Sequence, residues 1–189
     1  MIPATLARRY ARALLQLADT PMQREIYGRD LTAFVRSTSV PVEGAASLLA
    51  VLDFNLHAQS QRRSVLDAVL KRMNLDVTVN RFLQLVFERG RIAGVPQMAV
   101  AFQDMADALA GRQKATITSA RPLAGESLAK LKAALEKVTG KTILVDSKVD
   151  PALLGGVVAQ VGTYVFDGSV KSQLEEMKET ILKEEQHFA

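Results

Sequence analysis

The periodicity of apolar residues changes once along this chain of 189 residues, between positions 105 and 112. Before that point, apolar residues recur every three or four positions, as they do on one face of an α-helix. After it, runs of β-branched residues alternate with helical segments. Basic residues change too: positions 1–105 contain 12 arginines and one lysine, and positions 106–189 contain two arginines and nine lysines. We therefore predict an N-terminal domain of residues 1–105 and a C-terminal domain of residues 106–189.

The N-terminal domain is predicted to be a bundle of six helices. Its opening helix carries an apolar stripe formed by Leu6, Tyr10, Ala13, Leu14 and Leu17. Beside the stripe runs a flank of small residues, namely Ala7, Ala11 and Ala18. The arginines of this helix are predicted to lie on the opposite side, at Arg8, Arg9 and Arg12.

Signals for helix starts and ends indicate the positions of later helices. Pro21 suits the first turn of the second helix, and the polar cluster at residues 37–41 is predicted to break it. Residues 43–52 are apolar enough to form a short buried helix. Asp76 can cap the fifth helix, and Pro96 begins the sixth.

The C-terminal domain is predicted to have the element order β-α-β-β-α, which gives the whole chain an α+β fold. The β-branched runs predict strands at residues 114–120, 141–145 and 156–166. A leucine stripe that ends at Gly140 predicts the helix between the first two strands.

Five residues of this domain are predicted to shape turns. Gly155 and Gly156 permit a tight turn and close packing of strands. Asp167, Gly168 and Ser169 are predicted to turn the chain into the final helix, with Ser169 as its N-cap.

Composition and spacing exclude several kinds of chemical site. The chain has no cysteine, which excludes disulfides, thiol catalysis, iron–sulfur clusters and cysteine-based zinc sites. Its two histidines, His57 and His187, have no partners at the spacing of metal ligands. The glycine pair leads into a strand, whereas a phosphate-binding loop leads into a helix. We therefore expect no catalytic residue, no cofactor and no metal.

Three interpretations of these residues remain. Amphipathic helices without a reactive constellation suit a protein that binds other proteins, since a groove between bundle helices can accept a partner's helix. The arginines of the first helix leave open an Arg-rich helical nucleic-acid-binding adaptor. Against it, the net charge of +4 is mild and aromatic residues make up only 5%. An enzyme with a carboxylate-only site is least favoured, because pairs such as Glu175 and Glu176 usually solvate a helix face.

Four segments, in the right order along nearly the whole chain, carry a resemblance to a known family. The most specific is VDPALLGGVVAQVGTYVFDGSVKSQL at residues 149–174. The others are ARRYARAL at residues 7–14, the segment from Phe82 through ERGRI at residues 88–92, and SARPL at residues 119–123. Together they resemble the δ subunit family of rotary ATP synthases, which includes the mitochondrial oligomycin-sensitivity-conferring protein.

The resemblance implies a non-catalytic subunit of a proton-translocating rotary ATP synthase. Such a subunit belongs to the stator, which links the catalytic head to the b subunits of the peripheral stalk and resists rotor torque. The implied location is the cytoplasmic face of a bacterial inner membrane, with membrane association only through the complex. No nucleic acid and no cofactor are implied.

The resemblance also implies two sets of contact residues. The N-terminal domain would receive the N-terminal helix of an α subunit in a groove between its first and fifth helices. Mapped onto this sequence, the groove residues are Ala7, Tyr10, Ala11, Leu14, Phe82, Leu83 and Val86. The C-terminal domain would meet the C-terminal ends of the b subunits through Val161, Tyr164, Phe166, Leu174 and Met177.

Overall fold

The chain divides into two compact units, Met1–Ala110 (unit 1) and Gly111–Ala189 (unit 2). The computed structural model describes residues 2–40, 47–53 and 58–187, with side chains as far as residue 178. The boundary predicted after residue 105 is too early, because the last helix of unit 1 continues to Leu109. Gly111 follows that helix with a φ of +65°, a conformation that favours glycine.

Unit 1 is helical throughout the described residues. Its elements are α1 (Ala4–Gln16), α2 (Pro21–Ser39), α3 (Leu48–Asp53), α4 (Gln59–Met73), α5 (Val77–Glu88), a single 3-10 turn (Ile92–Gly94) and α6 (Val95–Leu109). Large side chains from most of these helices meet in one apolar core, including Leu14, Leu31, Phe34, Leu66, Leu83, Met98 and Phe102. Burial of each such side chain contributes about 1.5–3 kcal/mol to folding.

The start of α2 follows its sequence signals closely. Pro21 occupies the first turn, and Thr20 forms a capping box with Gln23. The Gln23 backbone N–H donates to Thr20 Oγ1 at 3.2 Å, and the Thr20 N–H donates to Gln23 Oε1 at 3.1 Å. Two backbone donors that the helix leaves unpaired are therefore satisfied.

The predicted break at residues 37–41 is wrong for its first part, because α2 continues to Ser39. The buried Thr38 hydroxyl donates to the carbonyl oxygen of Phe34 at 2.7 Å, one helical turn earlier. A side chain that elsewhere favours a turn is thus satisfied inside the helix. Of the short helix predicted at residues 43–52, the described part begins at Leu48, and residues 41–46 lie outside the described residues.

Unit 2 is a four-stranded sheet with two helices, which confirms the α+β class. Its elements are β1 (Arg112–Ser119), α7 (Gly125–Thr139), β2 (Thr142–Val149), β3 (Gly156–Val161), β4 (Tyr164–Ser169) and α8 (Val170–His187). The strand order is β2-β1-β3-β4; β1 and β2 are parallel, and the other two pairs are antiparallel. Leu128, Leu131 and Leu135 of α7 pack in a second core with Ile117 and Ile143.

The single strand predicted at residues 156–166 is in fact a hairpin, so the order in unit 2 is β-α-β-β-β-α rather than β-α-β-β-α. Val161 pairs with Tyr164, which leaves Gly162 and Thr163 as a two-residue turn. Gly162 has a φ of +60°, and hairpin turns of this length commonly place glycine at such a position. The apolar residues on both sides of the turn concealed it in the sequence.

Residues 167–169 lead into the final helix as predicted, but they do so as the end of β4, because α8 begins directly at Val170 and no separate turn lies between the two elements. Asp167 Oδ1 accepts the Ser169 N–H at 2.8 Å, and its Oδ2 accepts the Ser172 hydroxyl at 2.7 Å. Ser169 Oγ accepts the Ser172 N–H at 3.2 Å, which confirms Ser169 as the N-cap of α8. These side chains connect the strand to the helix without an intervening loop.

Close approach of two strands explains the second glycine of the pair. Gly156 begins β3 opposite Ser169, and its φ is +83°. A Cβ atom at this position would overlap the carbonyl oxygen of Gly168 and lie 2.8 Å from Cα of Ser169. Gly155 lies in a bend just before the strand and accepts the Val170 N–H through its carbonyl oxygen at 3.1 Å.

Replacing Gly156 with alanine should destabilise unit 2 strongly. The matched control is Gly140→Ala. Gly140 has a φ of +66°, but the space around a Cβ atom at this position is open. The control should cost about 1–2 kcal/mol, the penalty for a left-handed backbone. Gly156→Ala should cost on the order of 3 kcal/mol or more, because backbone atoms must also move. Hydrogen exchange of the β3 and β4 amides in the full chain measures the loss of unfolding free energy for both variants. Equal losses would contradict the packing argument.

Acid should weaken the β4–α8 junction. Hydrogen bonds from the Ser169 backbone, then from the Ser172 and Ser169 side chains, lower the pKa of Asp167. Because the pKa of Asp167 is lower in the folded chain than in the unfolded chain, its carboxylate stabilises the junction at pH values above the ordinary pKa of 3.8. This stabilisation is lost as pH falls through the lowered folded pKa. Asp167→Asn should remove this loss of stability in acid. Hydrogen exchange of the amides in the first turn of α8, measured as a function of pH, tests this expectation. The same pH profile for the variant and the unchanged chain would contradict it.

Candidate functional site

A groove of about 710 Å³ runs between α1 and α5 on unit 1. Its lining is mainly apolar and is formed by Leu6, Arg9, Tyr10, Ala13, Leu14, Leu17, Thr78, Arg81, Phe82, Leu85 and Arg91. Leu17 and Leu85 are 59% and 45% exposed, respectively, although both are large apolar side chains. Exposed apolar side chains gathered in one groove are typical of a surface that binds another protein.

On α1, the groove side and the core side meet at Leu14, which lines the groove and is itself completely buried in the core. The apolar stripe of Leu6, Tyr10, Ala13, Leu14 and Leu17 faces the groove. The flank of small residues faces the core: Ala7 and Ala11 are only 2% and 1% exposed. Ala7 and Ala11, predicted as partner contacts, are therefore core residues and are not available to a partner.

On α5, the same division corrects two further predictions. Phe82 lines the groove, whereas Leu83 and Val86 are completely buried in the core. The groove wall instead includes Thr78, Arg81 and Leu85, which sequence reasoning missed. Their positions follow the i, i+3, i+7 spacing of one helix face, and this spacing was the available signal.

Arg9 also lies at the groove, although it was predicted on the opposite side of α1. It is three residues after Leu6 and four before Ala13, so helical geometry places it beside the apolar stripe. Arg8 and Arg12 do point elsewhere, because they line other depressions of unit 1.

An aromatic and cationic cluster joins the two walls of the groove. The rings of Tyr10 and Phe82 meet edge to face, with centroids 6.3 Å apart. Arg91 Nη1 donates to the Tyr10 hydroxyl at 2.6 Å, and the guanidinium carbon lies 5.7 Å from the Tyr10 ring centroid. Such contacts hold Tyr10 and Arg91 in defined positions before any partner arrives.

Hydrogen bonds from α2 position the first turn of α5. Asp76 caps this helix, because its Oδ1 accepts the Thr78 N–H at 2.7 Å. The buried Asp30 accepts the Asp76 N–H on its Oδ2 at 2.8 Å, and the Tyr27 hydroxyl donates to Thr78 Oγ1 at 3.1 Å. The groove wall therefore begins at a turn that is anchored to the core.

On unit 2, apolar side chains predicted as partner contacts lie on β4 and α8. Tyr164 is 69% exposed and Phe166 is 39% exposed; Leu174 and Met177 of α8 are more than half exposed. Val161 does not belong with them, because it is completely buried in the core beneath the sheet.

The described residues contain no group of three or more His, Cys, Asp or Glu side chains placed to hold a metal ion. His57 lies outside the described residues. No helix within the described ranges combines the length and apolar character that a membrane span requires.

Comparisons with known proteins agree on one family. Residues 6–181 match the family described as ATP synthase delta (OSCP) subunit. ATP synthase subunit delta of Myxococcus xanthus is 38% identical over 180 residues, which cover 94% of this chain and 97% of that protein. ATP synthase subunit delta of Geobacter metallireducens is 37% identical, with 97% and 99% covered.

A solved structure shares the fold. A chain in the cryo-EM structure of the Toxoplasma gondii mitochondrial ATP synthase hexamer has a TM-score of 0.68 and 22% identity, with 94% of this chain and 97% of that chain covered. None of these comparisons supports the nucleic-acid-binding alternative. The near full-length matches show that this chain belongs to the ATP synthase delta (OSCP) subunit family.

Proposed function

We propose that this chain is a non-catalytic stator subunit that holds the catalytic head of a proton-translocating ATP synthase against the torque of the rotor. Unit 1, the six-helix bundle, binds the N-terminal helix of an α subunit. Unit 2 binds the C-terminal ends of the b subunits of the peripheral stalk. The subunit catalyses no step and needs no cofactor; it lies at the cytoplasmic face of a bacterial inner membrane, attached through the complex.

The observation that carries this proposal is the preformed apolar groove between α1 and α5. An amphipathic helix presents anchors at i, i+3, i+4 and i+7, and the groove offers a matching strip of apolar side chains. Leu17 and Leu85 lose exposed surface when such a helix binds. Full burial of an apolar side chain is worth about 1.5–3 kcal/mol, so several anchors are needed for the roughly 12 kcal/mol of a nanomolar complex.

Two binding surfaces on separate units give the stator its persistence. Once one unit is bound, the second binding event becomes intramolecular and occurs at a high effective concentration. Loss of the subunit from the complex then requires both contacts to be open at the same time, and a single opened contact can re-form before the other opens. This is the physical requirement for an attachment that outlasts many turns of a rotor.

A carboxylate on the apolar strip of the groove should weaken binding of the α-subunit helix. Tyr10→Asp and Leu85→Asp each place a carboxylate among the apolar side chains of the groove. We expect each change to weaken the affinity for a peptide from the N-terminus of the cognate α subunit at least about tenfold, or about 1.4 kcal/mol. Isothermal titration with the full chain measures the effect.

Val100→Asp is the matched control for this experiment. Val100 is 60% exposed on α6 and does not line the groove. Its replacement should leave the peptide affinity unchanged, and Leu85→Asp should leave the circular dichroism spectrum unchanged because Leu85 is half exposed. Absence of binding by the intact chain would overturn the function proposed for unit 1.

Charge on β4 and α8 should affect only the stalk contact. Leu174→Asp and Met177→Asp should weaken binding of a soluble b-subunit fragment about tenfold or more and leave binding of the α-subunit peptide intact. Val138→Asp is the control, since Val138 is a similarly exposed apolar residue, on α7. Equal loss of b-fragment affinity with all three variants would contradict the proposal that this surface binds the b subunits. So would unchanged affinity with Leu174→Asp and Met177→Asp.

A further inference from the structure

Three arginines surround the groove between α1 and α5. Arg9 extends from α1, Arg81 extends from α5, and Arg91 follows α5. The lining contains no Asp or Glu, so the apolar strip is bordered by positive charge alone.

Among the described residues, these three arginines have no carboxylate within ion-pair distance. Other arginines of unit 1 do have one: Arg29 contacts Asp30 at 3.1 Å and Arg63 contacts Glu88 at 3.0 Å. Arg9 and Arg81 are exposed, and Arg91 is partly buried. Three like charges beside one apolar groove give it a positive potential, which carboxylates of a partner can offset.

Arg91 is already oriented for a carboxylate. One of its five N–H donors is used by the Tyr10 hydroxyl at 2.6 Å, and its guanidinium carbon lies 5.7 Å from the Tyr10 ring centroid, so the group is restrained at the groove. The remaining donors can bind a carboxylate in a two-point geometry. Little side-chain entropy remains to be lost when that ion pair forms.

We propose that Arg9, Arg81 and Arg91 make the groove selective for an amphipathic helix that carries Asp or Glu on both flanks of its apolar stripe. This inference rests on the function proposed above and specifies the chemistry of its partner. A helix that places its apolar stripe on the groove floor brings its flanking positions to the two walls. Arg9 and Arg81 lie on opposite walls, so acidic residues are required on both flanks.

The apolar lining distinguishes this partner from a nucleic acid. A polyanion would pair with the arginines but would leave Leu6, Leu17 and Leu85 exposed to water. A helix with acidic flanks satisfies the apolar side chains and the charges together. Charge complementarity of this kind sets register and partner choice more than total affinity.

The test uses the full chain and three designed helical peptides of about 18 residues. All three carry the same apolar stripe, and their flanking positions are all Glu, all Gln or all Lys. We expect the Glu peptide to bind about tenfold more tightly than the Gln peptide, and the Lys peptide to bind most weakly. This preference should decrease as salt rises from about 50 to 500 mM, because exposed charges are screened.

Charge exchange separates recognition from a purely structural role. Arg81→Glu should weaken binding of the Glu peptide and strengthen binding of the Lys peptide, each relative to the unchanged chain. Arg8→Glu is the matched control, since it makes the same charge change on α1 away from the groove, and it should leave the preference unchanged. A structural defect cannot produce tighter binding of the Lys peptide.

The outcomes distinguish this inference from the proposed function. If the chain binds the α-subunit peptide but binds the Glu, Gln and Lys peptides equally well, the charge selectivity is wrong and the groove function stands. If it binds neither the α-subunit peptide nor any designed peptide, both are wrong. Binding to vesicles of phosphatidylglycerol that Arg81→Glu abolishes, without a preference among peptides, would also overturn the inference.

Discussion

The close packing of α1 against the rest of its bundle is the constraint on which the candidate binding site depends. Ala7 and Ala11 are almost completely buried, and α1 lies along α6. Because these two side chains are small, the first turns of α1 can lie close to the core, and Leu14 and Leu15 supply the larger buried side chains of this helix. Leu6, Tyr10 and Leu17 are then left to face α5 across the groove. Larger side chains at the two alanines would shift the helix and change the width of the groove.

The polar contacts around the groove act on this same geometry. Asp30 and Tyr27 hold the first turn of α5, and the edge-to-face contact of Tyr10 with Phe82 spans the gap between the walls. Both walls are thus fixed by the core rather than by a ligand. A preformed surface of this kind loses little conformational entropy on binding, which raises affinity without additional contacts.

Much of this fold could be predicted from sequence, because helix periodicity, caps and β-branched runs are local signals. Pro21 and Asp76 lie where these signals place them, at helix starts. The predictions that were wrong concern places where one sequence pattern fits two structures and tertiary packing determines which of them forms. The alanine flank of α1 and the stripe beside it both suit a buried face, and only the neighbouring helices determine which face is covered. The hairpin at Gly162 was missed for a related reason, since Val161 and Tyr164 read as one continuous apolar strand.

The direct junction between β4 and α8 has a mechanical consequence. A loop between two elements can lengthen under force, by at most about 3.3–3.6 Å for each of its residues. Here α8 begins at the residue after β4 ends, so no such extension is available. A force applied to α8 would therefore be transmitted directly to β4 at the edge of the sheet, and the hydrogen bonds between β3 and β4 would resist it. In a part subjected to repeated load, this connection behaves as a stiff coupling and dissipates little work in stretching.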